Sequence, residues 1–228
     1  IELGKFFPEK SNLKIPMYFS VSEDIKNPQY NPLDPDILLT TSLDVLETKE
    51  ERDSLKEITQ DYTKRKSINF TNIRKERAPG NNKSKLYDIE NLSLSYSYNE
   101  SFYRNVNTEY SINKQYNGGI GYNFNSNPKN IKPFNKIKAL RKGKYFRIIR
   151  DFNFYVLPKQ ISFRTDVYRS YLETKLRNNS GLDFDIDPTF SKYFTLNRSS
   201  NIKYDFTRSL KFNFSSHILF NIVPVLPL

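Results

Sequence analysis

Three short constellations in this chain invite chemistry. Asp183, Asp185 and Asp187 put carboxylates at alternate positions, as the opening of a calcium loop does. Such a loop needs Gly at its sixth position and Glu at its twelfth, and here those are Pro188 and Phe194. Gly118-Gly119-Ile120-Gly121 resembles a phosphate cradle, but no Gly-Lys-Ser/Thr follows it. His217 is the one imidazole, and there is no Cys at all, which excludes disulfides, thiol nucleophiles, Fe–S clusters, thiolate zinc and any His-rich metal centre. Asn-X-Ser/Thr triplets such as Asn99-Glu100-Ser101 and Asn178-Asn179-Ser180 are expected by chance in so Asn- and Ser-rich a chain. No catalytic constellation survives, so neither enzyme activity nor a cofactor or metal is expected.

The elements carrying these residues have a period of two. Leu92, Leu94, Tyr96 and Tyr98 alternate with Ser93, Ser95, Ser97 and Asn99. Tyr110, Ile112 and Tyr116, with Lys114 in the same phase, alternate with Glu109, Ser111, Asn113 and Gln115. Asn117-Gly118 then suits a type I′ turn, and Ile120, Tyr122 and Phe124 alternate with Gly121, Asn123 and Asn125. A hairpin turning at Asn117-Gly118 is therefore predicted. Ile161, Phe163, Val167 and Tyr171 repeat the pattern, as do Ile202, Tyr204 and Phe206. After a tight Thr207-Arg208-Ser209 link come Leu210, Phe212 and Phe214, and Ile68 and Phe70 are an earlier case.

Each strand has one face of Tyr, Phe and aliphatics and another of Ser, Asn, Thr or charge. That pattern is expected of an antiparallel transmembrane β-barrel, apolar outside and polar inside. A soluble one-sided sheet would share it. No stretch approaches the ~18 apolar residues of a membrane helix, and mean hydropathy is −0.70. The fold class expected is all-β with short helical insertions. Ser93, Ser95, Ser97, Asn99, Glu109, Ser111, Asn113, Gln115 and Asn123 are then the lumen-facing candidates. Leu92, Leu94, Tyr96, Tyr98, Tyr110, Ile112, Tyr116, Ile120, Tyr122 and Phe124 are the lipid-facing ones.

Two segments break the period. Within 24–61, Asn31-Pro32-Leu33-Asp34-Pro35-Asp36 reads as a rigid turn. Thr48-Lys49-Glu50-Glu51 fits a capping box opening a helix to about Gln60. Within 127–150, nine Lys/Arg and no acid lie between Lys129 and Arg150, so removing them takes the net charge from +11 to +2. Phe134, Ile137 and Leu140 predict a short amphipathic helix there. No nucleic-acid motif accompanies these charges; anionic headgroups or an acidic partner suit them better. Barrel strands are expected in 1–23, 62–126 and 151–218, with an irregular tail at 219–228. The sequence starts at Ile1 without a signal peptide and is expected to be an internal piece of a longer chain.

Several long strings carry a resemblance. Leu3-Gly4-Lys5-Phe6-Phe7-Pro8, Asn31-Pro32-Leu33-Asp34-Pro35-Asp36-Ile37 and Arg65-Lys66-Ser67-Ile68-Asn69-Phe70-Thr71-Asn72-Ile73-Arg74-Lys75 resemble the SprA family, also called Sov. So do Asp151-Phe152-Asn153-Phe154, Leu157-Pro158-Lys159-Gln160-Ile161-Ser162-Phe163-Arg164-Thr165-Asp166 and Tyr204-Asp205-Phe206-Thr207-Arg208-Ser209-Leu210-Lys211-Phe212. The resemblance implies the outer-membrane translocon of type IX secretion, needed for gliding motility, and a share of a very large single-chain barrel. It implies as partners outer-membrane lipid, secreted cargo, other type IX components and the rest of the barrel, with no nucleic acid. A smaller porin or nutrient-receptor barrel, and a surface or soluble β-sheet binding module, remain the alternatives from the residues alone.

Overall fold

A computed structural model describes residues 1–78, 84–135, 149, 151–180 and 184–222. Strands make up 58% of the chain, and its two α-helices among the described residues are short, so the protein is mainly β. Alternating β-branched, aromatic and small polar residues favour this pleated state. In chain order the strands are β1 (Leu13–Lys14), β2 (Met17–Lys26), β3 (Tyr30–Asn31), β4 (Asp34–Leu38), β5 (Asp61–Lys75), β6 (Leu92–Arg104) and β7 (Thr108–Asn125). They continue with β8 (Asn130–Ile131), β9 (Phe154–Tyr155), β10 (Gln160–Leu176), β11 (Thr189–Asp205) and β12 (Lys211–Ile222).

One antiparallel sheet dominates, in the order β1-β5-β6-β7-β10-β11-β12, with β2 beside β5 on the same edge as β1. The sheet is open among the described residues: β2 and β12 are edge strands. β3–β4 and β8–β9 form two-stranded ribbons apart from it.

The predicted Asn117-Gly118 hairpin does not form. Both residues lie inside the 18-residue strand β7, opposite Ser97 and Tyr96 on one side and Tyr168 and Val167 on the other. A type I′ turn needs positive φ at both central residues, and among the described non-glycine residues only Asn12 and Asn72 have it. Parity explains the error. A two-residue turn there would pair 116 with 119 and 112 with 123, putting the apolar positions of one half on the polar face of the other. An uninterrupted strand keeps Tyr110, Ile112, Tyr116, Ile120 and Tyr122 in one phase. The turn is three residues long and lies earlier, at Asn105-Val106-Asn107. There the Asn105 side-chain oxygen accepts from the backbone N–H of Asn107 and Thr108, at 3.0 and 2.8 Å.

The tail needs a second correction. Leu219 to Ile222 belong to β12 and pair with Asn197 to Phe194. Ile218, Phe220 and Ile222 keep the apolar phase, and Leu219 is the exception that hid it. Residues 223–228 lie outside the described set, as do Asp183 and the Ile137 and Leu140 positions of the amphipathic helix expected in the basic segment. The tight link between β11 and β12 forms as predicted, with Thr207 Oγ1 accepting from the N–H of Ser209 and Leu210.

Residues 27–60 hold α1 (Leu39–Val45) and α2 (Lys49–Thr59). The capping box forms as the sequence predicts. Thr48 Oγ1 accepts from the Glu51 N–H at 3.2 Å, and the Glu51 carboxylate accepts from the Thr48 N–H at 3.3 Å.

If β7 runs straight through Gly118, a side chain there meets open space and no positive φ. Gly118→Thr in the full-length protein should therefore preserve folding and add up to about 1 kcal/mol, because glycine weakens a strand interior. Urea unfolding measures this, and a loss of stability would restore the turn.

Candidate functional site

The candidate site is the sheet itself, because the register sorts its side chains onto two unlike faces. One face carries rows such as Ile73, Leu94, Ile120, Thr165, Arg198 and Ile218, or Met17, Phe70, Tyr96, Gly118, Val167 and Leu196. In β5 this phase would fail after Phe70. A bulge at Thr71-Asn72, with Asn72 at φ 54°, returns Ile73 to the apolar side.

Nothing among the described residues covers this face with a core. Only Leu39 and Phe124 are buried apolar side chains, where a water-soluble domain of this size would bury well over half of its unfolded surface. Leu94 is 46% exposed, Ile120 51% and Phe220 59%. All ten lipid-facing candidates lie on this face by register, but Phe124 is a correction. It is fully buried, at the point where β7 leaves the sheet into the 126–159 connection, so it is not a surface contact.

The opposite face holds Ser93, Ser95, Ser97, Asn99, Ser111, Asn113, Gln115 and Asn123, all in one phase, whereas Glu109 is skipped at a register shift near the start of β7 and pairs with Lys175 at 3.2 Å. Its neutral hydroxyls and amides bond to one another: Asn117 Nδ2 donates to Ser97 Oγ at 3.0 Å, and Ser111 and Thr174 hydroxyls share a 3.0 Å bond. The Arg164 guanidinium donates twice to the Asp166 carboxylate, at 2.7 and 2.8 Å, cancelling both charges locally. Beside this pair runs an open trough of about 850 Å³, lined by Ser93, Gly121, Arg164, Asn201, Ser215 and His217 among others.

Its glycines are spatial rather than turn-forming. A Cβ on Gly119 would lie 2.5 Å from Ser95 Oγ and 2.7 Å from Asp166 Oδ1, and one on Gly121 2.7 Å from Ser93 Oγ. His217 is exposed opposite Ser199, without a catalytic arrangement around it. Asp185 pairs with Lys175 at 2.9 Å, and no cluster of metal-ligating side chains occurs among the described residues. Chemically this face can offer weak, neutral hydrogen bonding over a wide area.

One feature of the apolar face escaped the alternation. Val21, Lys66, Glu100, Lys114, Tyr171 and Lys192 form a single row across six strands. Lys66 Nζ lies 3.2 Å from the Glu100 carboxylate, which also accepts from the Tyr98 hydroxyl. One row further on, Glu173 accepts from the Tyr110 and Tyr171 hydroxyls at 2.8 and 2.7 Å. The signal was there in Lys114, a charge in an apolar phase, but its row mates lie far apart in sequence.

Together these features define a class: among the described residues, a single-layer, two-faced antiparallel sheet with open edges and an exposed apolar side. No helix among the described residues is long and apolar enough to cross a membrane, which says nothing of strands. Residues 1–43 match the SprA_N family model, described as a motility related/secretion protein. Over these residues the chain is similar to that family. The match includes Leu3–Pro8 and Asn31–Ile37 of the resemblance; the strings from Arg65 onward lie beyond it. It also includes β1 and β2, which pair with β5, so the matched segment is built into the same sheet. No curated protein matches the chain.

Because Gly119 sits against Ser95 and Asp166, Gly119→Val should cost about 1–3 kcal/mol through overpacking. The urea midpoint should fall for this variant and hold or rise for Gly118→Thr. Equal midpoints would remove the spatial reason for the glycine.

Proposed function

We propose that this chain forms part of the wall of an outer-membrane channel that exports folded proteins in type IX secretion and supports gliding motility. Its role is passive and non-catalytic. The observation carrying this reading is the long-stranded sheet with one exposed apolar, aromatic face, one neutral polar face and almost no core. The SprA_N match at residues 1–43 supplies the secretion and motility context.

The physics of such a wall is simple. In hydrocarbon every backbone N–H and C=O must find a partner within the protein, and an antiparallel ladder provides this wherever strands have neighbours on both sides. The open edges at β2 and β12 call for further strands from the rest of the barrel. Lipid covers the aromatic face. The Ser/Asn/Gln face lines the lumen, where weak neutral groups let folded cargo pass without being held, and a wide lumen follows from many strands. Other type IX components and cargo are the protein partners of this reading, and no nucleic acid is involved.

Paired substitutions on adjacent phases of the sheet test it. Ile120→Lys in the full-length protein puts a charge on the lipid face and should cost about 2–4 kcal/mol near mid-depth. The folded protein recovered from outer membranes should fall sharply, and with it secreted cargo and colony spreading. Asn99→Lys on the lumen face should leave assembly intact. Equal assembly of the two variants would sink the wall reading.

A further inference from the structure

Resting on that wall reading, we propose that the Lys/Glu/Tyr row on the apolar face is its headgroup belt. It fixes the depth of the sheet in the membrane, and Lys66, Lys114 and Lys192 meet the phosphates of lipid headgroups there. The argument begins with asymmetry between the faces. At the level of Lys66, Glu100 and Lys114, the polar-face row Ser67, Asn99, Gln115 and Ser170 is uncharged, and the polar-face row on the other side, Ser22, Arg65, Ser101, Asn113 and Leu172, carries the single charge of Arg65 against the four of Lys66, Glu100, Lys114 and Lys192. Charge is concentrated on the side that is otherwise apolar. A face in water throughout gives no reason for this, whereas a face passing from hydrocarbon to headgroups does.

The dimensions agree. From the belt residue Tyr171 to Ile161, at the far rim of the apolar band, β10 runs ten positions. That is about 33 Å along a strand, or about 25 Å of depth at the ~40° tilt of such barrels, the height of a barrel's apolar band. Ile161 shares its row with Ile202 and Phe214, and the next row holds Tyr204 and Phe212. The far rim therefore carries aromatic rings, whereas the central row of Ile73, Leu94, Ile120, Thr165, Arg198 and Ile218 has none. Tyrosine dominates the belt side: Tyr98, Tyr110 and Tyr171 direct hydroxyls to the carboxylates of Glu100 and Glu173. Amphipathic rings of this kind favour the level where hydrocarbon meets polar headgroups.

The belt also has cations to spare. Lys66 is paired with Glu100 and Lys64 with Glu23, but Lys114 and Lys192 make no ion pair among the described residues; Lys192 lies over the Tyr171 ring at 5.9 Å. An ammonium at this level can donate to a phosphate oxyanion. Two arginines lie inside the band, and both have a way out. Arg169 is one row from the belt, within reach of a long side chain. The Arg198 guanidinium lies 4.8 Å from the Phe163 ring centroid, one row nearer the far rim.

Nitroxide labels on single cysteines test the depth; the 228 residues hold no cysteine of their own. Labels replace Leu94, Ile120, Lys66, Lys114 and Ser95 in the full-length protein, in phosphatidylcholine–phosphatidylglycerol vesicles. Collision with oxygen against a nickel chelate reports depth. The expected result is Leu94 and Ile120 deep, with Lys66 and Lys114 at one common level roughly 15 Å shallower, at the phosphates. Labels at Leu92, two positions from Leu94 along β6, and at Lys192 on β11 repeat the comparison, should a variant fail to assemble. Lys114 as deep as Ile120, or Lys66 and Lys114 at different depths, overturns the belt and leaves the wall standing. Leu94 and Ile120 no deeper than Ser95 overturns the wall and the belt with it.

Discussion

Backbone hydrogen bonding along one unbroken antiparallel ladder holds this protein together. A globular domain relies on apolar burial, but here only two apolar side chains are buried among the described residues. The ladder alone ties residues as distant as Met17 and Ile222 into one surface. A register slip of a single residue would send every side chain of a strand to the other face. Each long strand has to hold its phase for ten residues or more, and most of the irregularities serve that end. The bulge at Thr71-Asn72 is the clearest case: without the extra residue, Ile73 would fall on the polar face.

The two faces then acquire properties that no single strand has. On the polar side, hydroxyls and amides from strands distant in sequence bond to one another, and the Arg164–Asp166 pair removes the charges nearest the glycine trough. The result is a broad surface with little net electrostatic grip, suited to contact without capture. On the apolar side, rows of mixed aromatic and aliphatic side chains run across the sheet, with a charged row at one end. Cohesion from the backbone and chemistry from the side chains are thus separated.

The connections fasten the ends of the strands. Asn91, nearly buried, accepts from Arg77 at 2.6 Å and from Ser84 at 3.0 Å, and donates to the Lys85 carbonyl at 2.8 Å. The Tyr122 hydroxyl donates to the Leu86 carbonyl, docking this connection on β7. At the other end Arg104, the last residue of β6, pairs with Glu57 of α2 and lies over the Tyr62 ring at 5.0 Å. The helical insertion is thereby tied to two neighbouring strands.

Strand phase was legible in the sequence because alternation is local: the side-chain direction of each residue depends only on its neighbours in the chain. For Leu92–Asn99 and Ile161–Tyr171, and at the α2 capping box, short-range physics was enough. Asn117-Gly118 misled because turn propensity is local too, and the parity of Tyr116 and Ile120 on either side outweighs it. Leu219 similarly hid the continuation of β12. What tertiary structure alone decided was register across strands: which serine lies against which glycine, that Ser93, Arg164 and His217 border one trough, and that Lys66, Glu100, Lys114 and Lys192 stand level. These residues come from different strands, and only hydrogen bonds between strands set their alignment.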